Sequence, residues 1–359
     1  MKVLIVSDGF SSHLYADSFT KPFEKLDWEV EHFEWLDYFF KYQYPNHYSN
    51  DGNKLKSIYF RVQNKFTIGP ALKNINCDLI EKVKSYKPDL VLIYRGTHVW
   101  SSTIDKIKTE KSIVFSYNND DPFSSNYPFY YWRLHKKMSK SCDLVYAYRK
   151  KNIDDYLCLG IEKVKLLRSY YVTENNFRST EVEKDIDVLF IGHFENDGRD
   201  HSILKLLRSG VDVKLYGTGW SKSEVYEDIV KFNGLVKPVY KDYNLTINRA
   251  KIALVFLSKL NRDTYTRRCF EIPATGTLML SEHTDDLATM FEPNLEACFF
   301  NSDIELIEKV KNLLSDSRKL DRIASAGYAR LINDGHEVND RVKDIIDDYI
   351  ELKAQGSRE

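Results

Sequence analysis

A short polar loop and the helical segment after it carry the side chains best suited to chemistry. Asp263 lies in the loop, and Arg268 and Glu271 lie in the helical segment. Seven residues separate the two acids, about two helical turns, so both acids lie on the same side. An arginine and the amides of a helix N-terminus bind an anion, and carboxylates accept hydrogen bonds from hydroxyl groups. The pattern predicts a site for a phosphorylated ligand with hydroxyl groups at both ends; the alternative is a surface helix with ordinary charges.

The elements on either side of this segment predict its place in the fold. Residues 252–257 form an apolar run of strand length, residues 265–273 are helical in character, and residues 277–281 form a second apolar run. Strand, helix and strand in this order form a parallel βαβ unit with a right-handed crossover. Ligands of such sheets bind outside the carboxyl ends of the strands, which is where the loop with Asp263 is expected.

Polar residues also follow three predicted strands in the first half of the chain. The carboxyl ends of parallel strands share one edge, so these loops predict a single crevice. Asp120 and Asp121 could hold a metal ion, but adjacent side chains diverge, and we predict no metal site. The residues expected at the crevice are Asp8, Gly9, Arg95, His98, Asp120 and Asp121.

Length and apolar pattern predict two α/β domains. The chain has 359 residues, 43% of them hydrophobic and 29% charged, which suits two globular domains of ordinary size. Alternating strands and helices predict a doubly wound, Rossmann-like sheet in each domain. We place the first domain at residues 1–170, a linker at 171–184 and the second domain at 185–335. A C-terminal helix at 336–359 is expected to pack back on the first domain.

Charge and cysteine content exclude several other classes of protein. Residues 1–170 hold 26 Lys and Arg against 20 Asp and Glu, whereas the rest of the chain has a formal charge of −7. Neither half is strongly basic and no nucleic-acid-binding motif occurs, so we predict no nucleic-acid partner. Five scattered cysteines predict a reduced, cytoplasmic protein. No apolar run approaches the ~20 residues that span a bilayer, and residues 1–7 indicate a first strand and not a signal peptide.

Several motifs of the second half follow one another in a specific order. The run RRCFEIPATGTLMLSE (residues 267–282) is followed by DDL, MFEP and ASAGY, and then by His336 and Arg341. From residue 187 to the C-terminus this series resembles the CgeB-type (spore maturation) glycosyltransferases, which belong to the group 1 transferases. The resemblance implies the GT-B fold, in which two Rossmann-like domains face a central cleft.

The resemblance also implies roles for residues that bind the donor. Gly192 and Arg199 match a glycine-and-arginine loop whose arginine faces the diphosphate, and Arg268 matches the arginine before Phe-Glu. Glu271 matches the acid that takes the ribose hydroxyls. Asp263 occupies the place of the acid near the donor sugar, where many relatives have Glu. Both arginines are expected at a cleft and not in a core.

Other matching positions complete the predicted site. A Tyr-Gly-x-Gly-Trp run contains Gly217 and Gly219, and the loop from Gly234 through Val236 to Lys237 matches the loop that holds the base. In the wider group of transferases a lysine commonly accompanies the arginine. Lys205 is available for this role, but its spacing in the sequence does not fit. The D-D-P segment of this chain begins at Asp120 and Asp121, and a D-D-P segment also occurs in the family. The match implies that these residues lie near the acceptor or the reacting sugar. The catalytic candidates are Asp263, Arg199, Arg268 and Asp121.

The implied reaction is the transfer of a sugar from a nucleotide-diphospho-sugar to a glycan or lipid-linked acceptor in bacterial-type cell-surface polysaccharide synthesis. It would retain anomeric configuration and need neither metal nor cofactor. Two alternatives stay open. One is a nucleotide-sugar-binding or structural module without catalysis. The other is a nucleotide-sugar 2-epimerase, in which Asp120, Asp121 and His98 would supply the catalytic groups.

Two segments of the first half interleave aromatic and basic residues. They are residues 35–66 and residues 126–140, and both lie in the half with the formal charge of +6. Aromatic faces stack on sugar rings, and Lys and Arg attract phosphates or an anionic membrane surface. Many of these side chains could instead belong to the core or to a solvated face. We predict an anionic or lipid-linked acceptor and at most peripheral contact with the inner face of a membrane.

Overall fold

A computed structural model of the chain describes residues 1–9, 16–39 and 54–356, so residues 40–53 of the first aromatic segment lie outside the described part. The chain divides into two compact units, Met1–Arg168 with Val338–Glu359, and Ser169–Glu337. Residues 171–184 thus belong to the second unit. None of the described helices is long and apolar enough to cross a bilayer.

The first unit contains a parallel sheet with the strand order β2-β1-β3-β4-β5-β6. Strands β1 and β3 are apolar and almost wholly buried, as expected for parallel strands covered by helices on both faces. The strands are β1 (Lys2–Ser7), β2 (Glu29–Glu34), β3 (Leu90–Tyr94), β4 (Ile113–Asn118), β5 (Leu144–Ala147) and β6 (Val164–Leu166). The helices are α1 (Thr20–Lys25), α2 (Lys54–Phe66), α3 (Pro70–Tyr86), α4 (Ser101–Thr109), α5 (Arg133–Ser139), α6 (Lys150–Cys158) and the C-terminal α14 (Val338–Gly356).

The second unit contains a parallel sheet with the strand order β11-β10-β9-β7-β8. Apolar side chains of its central strands and of the helices form one continuous core. The strands are β7 (Ile186–Ile191), β8 (Val213–Tyr216), β9 (Ala250–Val255), β10 (Leu278–Glu282) and β11 (Cys298–Phe300). The helices are α7 (Arg199–Arg208), α8 (Tyr226–Asn233), α9 (Tyr243–Asn248), α10 (Arg268–Ala274), α11 (Asp285–Met290), α12 (Asp303–Ser315) and α13 (Ser317–Asn333).

The two doubly wound parallel sheets confirm the predicted α/β class. The helix expected from residue 265 instead begins at Arg268. Arg262 has a left-handed backbone conformation (φ 48°), and the Asp263 amide donates to the carbonyl of Ser258 (2.9 Å), so the loop continues past residue 263. Tyr265 is fully buried, with its ring 5.6 Å from that of Phe270.

Candidate functional site

The loops after β7 and β9 lie side by side where the strand order of the second unit reverses. Strand β7 pairs with β8 on one side and with β9 on the other, and doubly wound sheets bind ligands at such a position. Ser258 Oγ donates to Glu195 Oε2 (2.6 Å), and Lys259 Nζ donates to the carbonyl of Asp197 (2.7 Å). These two hydrogen bonds join the two loops.

A cavity of about 670 Å³ is lined by residues that follow β7, β9, β10 and β11. Asp263 and Arg199 line it together, with Lys259 and Glu282 beside them. Glu282 Oε2 accepts a hydrogen bond from the Leu257 amide (2.6 Å), and burial raises the pKa of its carboxyl group. Of the predicted donor-site residues, the cavity brings together Asp263 and Arg199, but not Arg268 or Glu271.

Arg199 is the first residue of α7 and is only 2% exposed. Its Nε and Nη2 donate to the two carboxylate oxygens of Asp197 (2.9 and 2.6 Å), and Nη1 donates to the carbonyl of His193 (3.1 Å). This two-point pairing fixes the guanidinium plane. Arg199 thus lines the cavity while its guanidinium group is held by the acids and the backbone of its own loop. Its contact with a diphosphate stays a prediction.

Glu195 is a further acid beside Arg199 that sequence reasoning did not assign a role. Its Oε1 lies 3.4 Å from Arg199 Nη2 and 3.0 Å from His193 Nε2. Burial alone would raise the pKa of Glu195, but hydrogen bonds from His193 and Ser258 and the charge of Arg199 lower it to about 2. Glu195 is therefore ionised at neutral pH. The loop sequence GHFENDGR contained both acids, but nothing in it indicated that they hold the arginine.

Arg268 begins α10 and contacts Gly192. Its Nη1 donates to the carbonyl of Ile191 (2.7 Å), and its guanidinium carbon lies 5.4 Å from the ring centroid of Phe190. Its Nε is buried and has no hydrogen-bond partner among the described residues. A Cβ atom at position 192 would lie 2.3 Å from Arg268 Nη1. Glycine at position 192 is thus what lets the arginine reach the carboxyl end of β7.

Glu271 lies on α10 and is 8% exposed. Tyr243 donates from its hydroxyl group to Glu271 Oε2 (2.7 Å), and Arg267 Nε lies 2.9 Å from Oε1. Burial, followed by the Glu271 charge, raises the pKa of Tyr243 well above its usual value, so the phenol keeps its proton. Sequence reasoning missed Tyr243 because it precedes Glu271 by 28 residues and belongs to another helix.

The predicted glycine loops meet beside β7. Gly217 has φ 148°, and a Cβ atom there would lie 1.8 Å from the carbonyl oxygen of Gly192. Its amide donates to the carbonyl of Lys237 (3.0 Å), which joins this loop to the segment with Gly234 and Val236. Gly219 (φ 78°) begins the turn that follows.

In the first unit, Asp8, Arg95 and Asp120 form one ion-paired group. Arg95 Nη1 lies 3.1 Å from Asp8 Oδ2, and Arg95 Nη2 lies 2.6 Å from Asp120 Oδ2. Asp8 follows β1 and Arg95 follows β3, the neighbouring strands at which the strand order of this sheet reverses. Gly9 (φ 76°) comes directly after Asp8. The structure thus brings together these residues from the three predicted loops.

The two adjacent acids of the third loop have different surroundings. Asp120 pairs with Arg95, whereas Asp121 is 1% exposed and its Oδ1 accepts hydrogen bonds from Asn152 Nδ2 (2.9 Å) and the Phe123 amide (2.9 Å). Because Asp121 is buried, its role as a catalytic group that touches the substrate is not favoured by this geometry. Its assignment stays a prediction.

A second cavity, of about 610 Å³, lies in the first unit. Asp8 and His98 line it together with several aromatic side chains, among them Trp35, Tyr127 and Tyr131. Tyr127 and Tyr131 stack with their centroids 5.4 Å apart. His98 is buried, and burial lowers its pKa to about 4, so its imidazole is neutral at pH 7. A cavity lined by aromatic, polar and charged side chains suits a sugar, whose rings have apolar faces and polar hydroxyl groups.

Comparison with known proteins agrees with this architecture. Residues 199–347 match the family model described as glycosyl transferase-like. No curated protein matches the chain. Anabaena HepE in complex with UDP-glucose superposes with a TM-score of 0.68 at 12% identity, over 97% of this chain and 100% of that chain. The fold is GT-B.

Two further structures show the same GT-B fold. Sucrose-phosphate synthase from Thermosynechococcus elongatus has a TM-score of 0.66 at 11% identity, over 99% of this chain and 100% of that one. A mutant of S. aureus TarM, in complex with Fondaparinux, alpha-GlcNAc-glycerol and UDP, has a TM-score of 0.65 at 8% identity, over 97% of this chain and 100% of that one. The family match supports a glycosyl transferase-like role for residues 199–347, and the structures show the fold. The CgeB-type subfamily stays a prediction.

Proposed function

We propose that the chain transfers a sugar from a nucleotide-diphospho-sugar to a glycan or glycolipid acceptor. It would be a CgeB-type enzyme of bacterial-type cell-surface polysaccharide synthesis. The observation that carries the proposal is the reversal point of the second sheet, where Arg199, Asp263 and Arg268 follow neighbouring strands within a region similar to glycosyl transferases. The reaction would retain anomeric configuration and need neither metal nor cofactor.

The donor binds the second unit in this proposal. Arg268 and Arg199 stabilise the negative charge that develops on the leaving nucleoside diphosphate, an interaction that strengthens in the transition state. Glu271 takes the ribose hydroxyls, and Asp263 lies near the donor sugar. The loop at Gly234 and Val236 holds the base. Gly192, Gly217 and Gly219 lie in the loops beside the diphosphate, where Gly192 makes room for the Arg268 guanidinium group. A phosphate oxygen of the leaving group takes the acceptor proton.

The acceptor binds the first unit. Arg95 is held by Asp8 and Asp120, and this ion-paired group fixes Asp8 at the wall of the aromatic cavity that His98 also lines. Gly9, beside Asp8, leaves room for the Glu34 side chain, and Asp121 shapes its own loop. Partners would be a nucleotide sugar and a glycan or lipid-linked acceptor. The protein would act in the cytoplasm at the inner face of a membrane, with peripheral contact only.

The test is a screen of the purified chain with UDP-, GDP- and dTDP-sugars and a panel of glycan and glycolipid acceptors. We expect release of nucleoside diphosphate that depends on the acceptor and survives EDTA. Arg268→Ala should lower kcat/KM by roughly 30- to 1,000-fold, or about 2–4 kcal/mol, because one charge-stabilising donor is lost. Arg318→Ala, at an exposed position of α13, is the matched control.

Three results would contradict the proposal. Formation of an isomeric nucleotide sugar without acceptor would indicate a 2-epimerase with Asp120, Asp121 and His98. Binding without turnover would indicate a non-catalytic module. Loss of transfer on chelation, with recovery by Mn²⁺, would point to a metal site at Asp120 and Asp121.

A further inference from the structure

Helix α2 exposes an apolar stripe to solvent. The stripe consists of Leu55, Ile58, Tyr59, Val62 and Phe66, whose spacings of three and four residues place them on one helical face. Leu55 is 79% exposed, and the other four are 38–55% exposed. Helices at the surface of globular proteins usually bury such a stripe, so its outward direction needs an explanation.

The opposite face holds α2 firmly on the first unit. Phe60 packs against the hydrophobic core of this unit, and Gln63 is buried, with its Oε1 accepting a hydrogen bond from the Ala71 amide (2.9 Å). Arg133 Nη2 donates to the carbonyl of Phe66 (3.0 Å) at the end of the helix. This packing and these hydrogen bonds therefore oppose a rotation of α2 that would bury the stripe.

The charged residues of α2 and of the chain that flanks it have one sign. Residues 52–77 contain five Lys and Arg but no Asp or Glu. Arg61 and Lys65 are exposed, and at 100° per residue both lie along the same edge of the stripe. An apolar stripe with a cationic edge is the pattern of helices that lie in the plane of a membrane interface.

A second element extends the apolar surface. Phe129 is 94% exposed, and its neighbour Tyr130 has its ring 4.9 Å from that of Phe66. Ile68, just beyond α2, is 47% exposed. The apolar surface is thus formed by a helix and a separate loop of the same unit.

We propose that the apolar stripe and Phe129 dock this protein on an anionic lipid bilayer. The apolar side chains enter the boundary between head groups and acyl chains, while Arg61 and Lys65 stay at the level of the anionic head groups. Tyr130, Arg61 and Lys65 also line the aromatic cavity of the first unit, which therefore opens beside the docked surface. A lipid-linked acceptor could reach that cavity without leaving the bilayer. The docking itself does not depend on the transfer reaction.

The test is sedimentation of the full chain with vesicles of phosphatidylcholine, alone or with ~30% phosphatidylglycerol, at low and at ~0.5 M salt. We expect binding to the anionic vesicles at low salt and weaker binding at high salt, because salt screens the head-group charge. Leu55→Ser with Ile58→Ser should lower the partition coefficient about tenfold or more, since two apolar side chains no longer leave water. Ile304→Ser, at an exposed position of α12, is the matched control.

Absence of binding to anionic vesicles at low salt would overturn the proposal. Equal binding by the Leu55/Ile58 double variant with an unchanged melting temperature would also overturn it, because α2 would not be the docking element. Sedimentation velocity without lipid tests whether a second copy of the chain, and not a bilayer, covers the stripe. A dimer that the double variant abolishes would assign the stripe to a second copy of the chain. None of these readouts uses transfer activity, so failure of the transferase proposal would be seen separately.

Discussion

At the scale of single residues, the types of the candidate site residues could be predicted from the sequence, but their partners could not. Arg199 lines the cavity, but the sequence did not indicate that its guanidinium group is buried against Asp197, only two positions earlier in the chain. Short spacing within a loop does not set the direction of a side chain. Asp121 is held by Asn152, 31 residues later, which only the tertiary structure brings near.

Arg199→Ala should reduce stability as well as turnover. Removal of the guanidinium leaves the buried Asp197 carboxylate without its two-point partner, and breaking a buried pair costs about 3–5 kcal/mol. Urea unfolding of the variant measures this loss of free energy. Lys205→Ala on the same helix is the control, because its pair with Asp303 is exposed and should contribute less than about 1 kcal/mol. Equal stability of the Arg199 variant and the wild type would contradict the expected role of the pair.

Glu271→Gln should weaken binding of the donor more than it slows the chemical step. Contacts to ribose persist through the reaction, so their loss affects ground state and transition state alike. We expect a dissociation constant for the nucleotide sugar raised roughly tenfold, the effect of one weakened hydrogen bond to a charged group. Calorimetric titration and single-turnover rates separate the two effects, with the exposed Glu308→Gln as control. A slower rate with unchanged affinity would instead place Glu271 at the reacting centre.

At the scale of elements, apolar runs predicted the parallel strands well because both faces of such strands are buried. The run at residues 252–257 corresponds to β9 (Ala250–Val255), and the first strand, predicted within residues 1–7, spans Lys2–Ser7. Loop geometry was harder to predict. The Gly-x-Gly at residues 217–219 could have been an ordinary tight turn, whereas Gly217 is packed against the carbonyl of Gly192, which is distant in sequence.

Gly217→Ala should be strongly destabilising for this reason. The new Cβ atom would meet the Gly192 carbonyl oxygen at 1.8 Å, so the loops after β7 and β8 must separate. Overpacking of this kind costs about 1–3 kcal/mol beyond the strain of positive φ. Gly210→Ala is the control, since Gly210 also has positive φ (88°) but no atom within 4 Å of the added Cβ. Thermal unfolding should show a larger loss for position 217, and equal losses would mean that backbone strain alone acts there.

At the scale of the whole molecule, two α/β units could be predicted because strands and helices alternate in both halves. The return of the C-terminal helix to the first unit follows from no pattern of charge or spacing. In the structure, Asp348 of α14 accepts a hydrogen bond from the hydroxyl of Tyr146 (2.7 Å) on β5. Tyr146 and Asp348 are 202 positions apart, so no local sequence pattern predicts their contact.

The free energy of unfolding should fall as the pH is lowered from about 6.5 to about 4. Burial lowers the pKa of both His98 and His135 in the folded chain to about 4, from 6.5 as the ordinary value. Within this window the unfolded chain binds protons that the folded chain does not, so stability rises with pH there. Each histidine contributes a slope of up to about 1.4 kcal/mol per pH unit.

Urea unfolding at several values between about pH 5 and 6.5 tests this slope. Glu195 has a pKa of about 2 in the folded chain and 4.5 as its ordinary value, so its contribution to stability is lost only below about pH 4.5, outside the measured range. His135 is fully buried and hydrogen-bonded to the Tyr156 hydroxyl (2.8 Å). His135→Gln should therefore lower stability at every pH and also flatten the slope, whereas the exposed His201→Gln should change neither. An unaltered slope in the His135 variant would mean that this imidazole accepts its proton in the folded chain as readily as in the unfolded one.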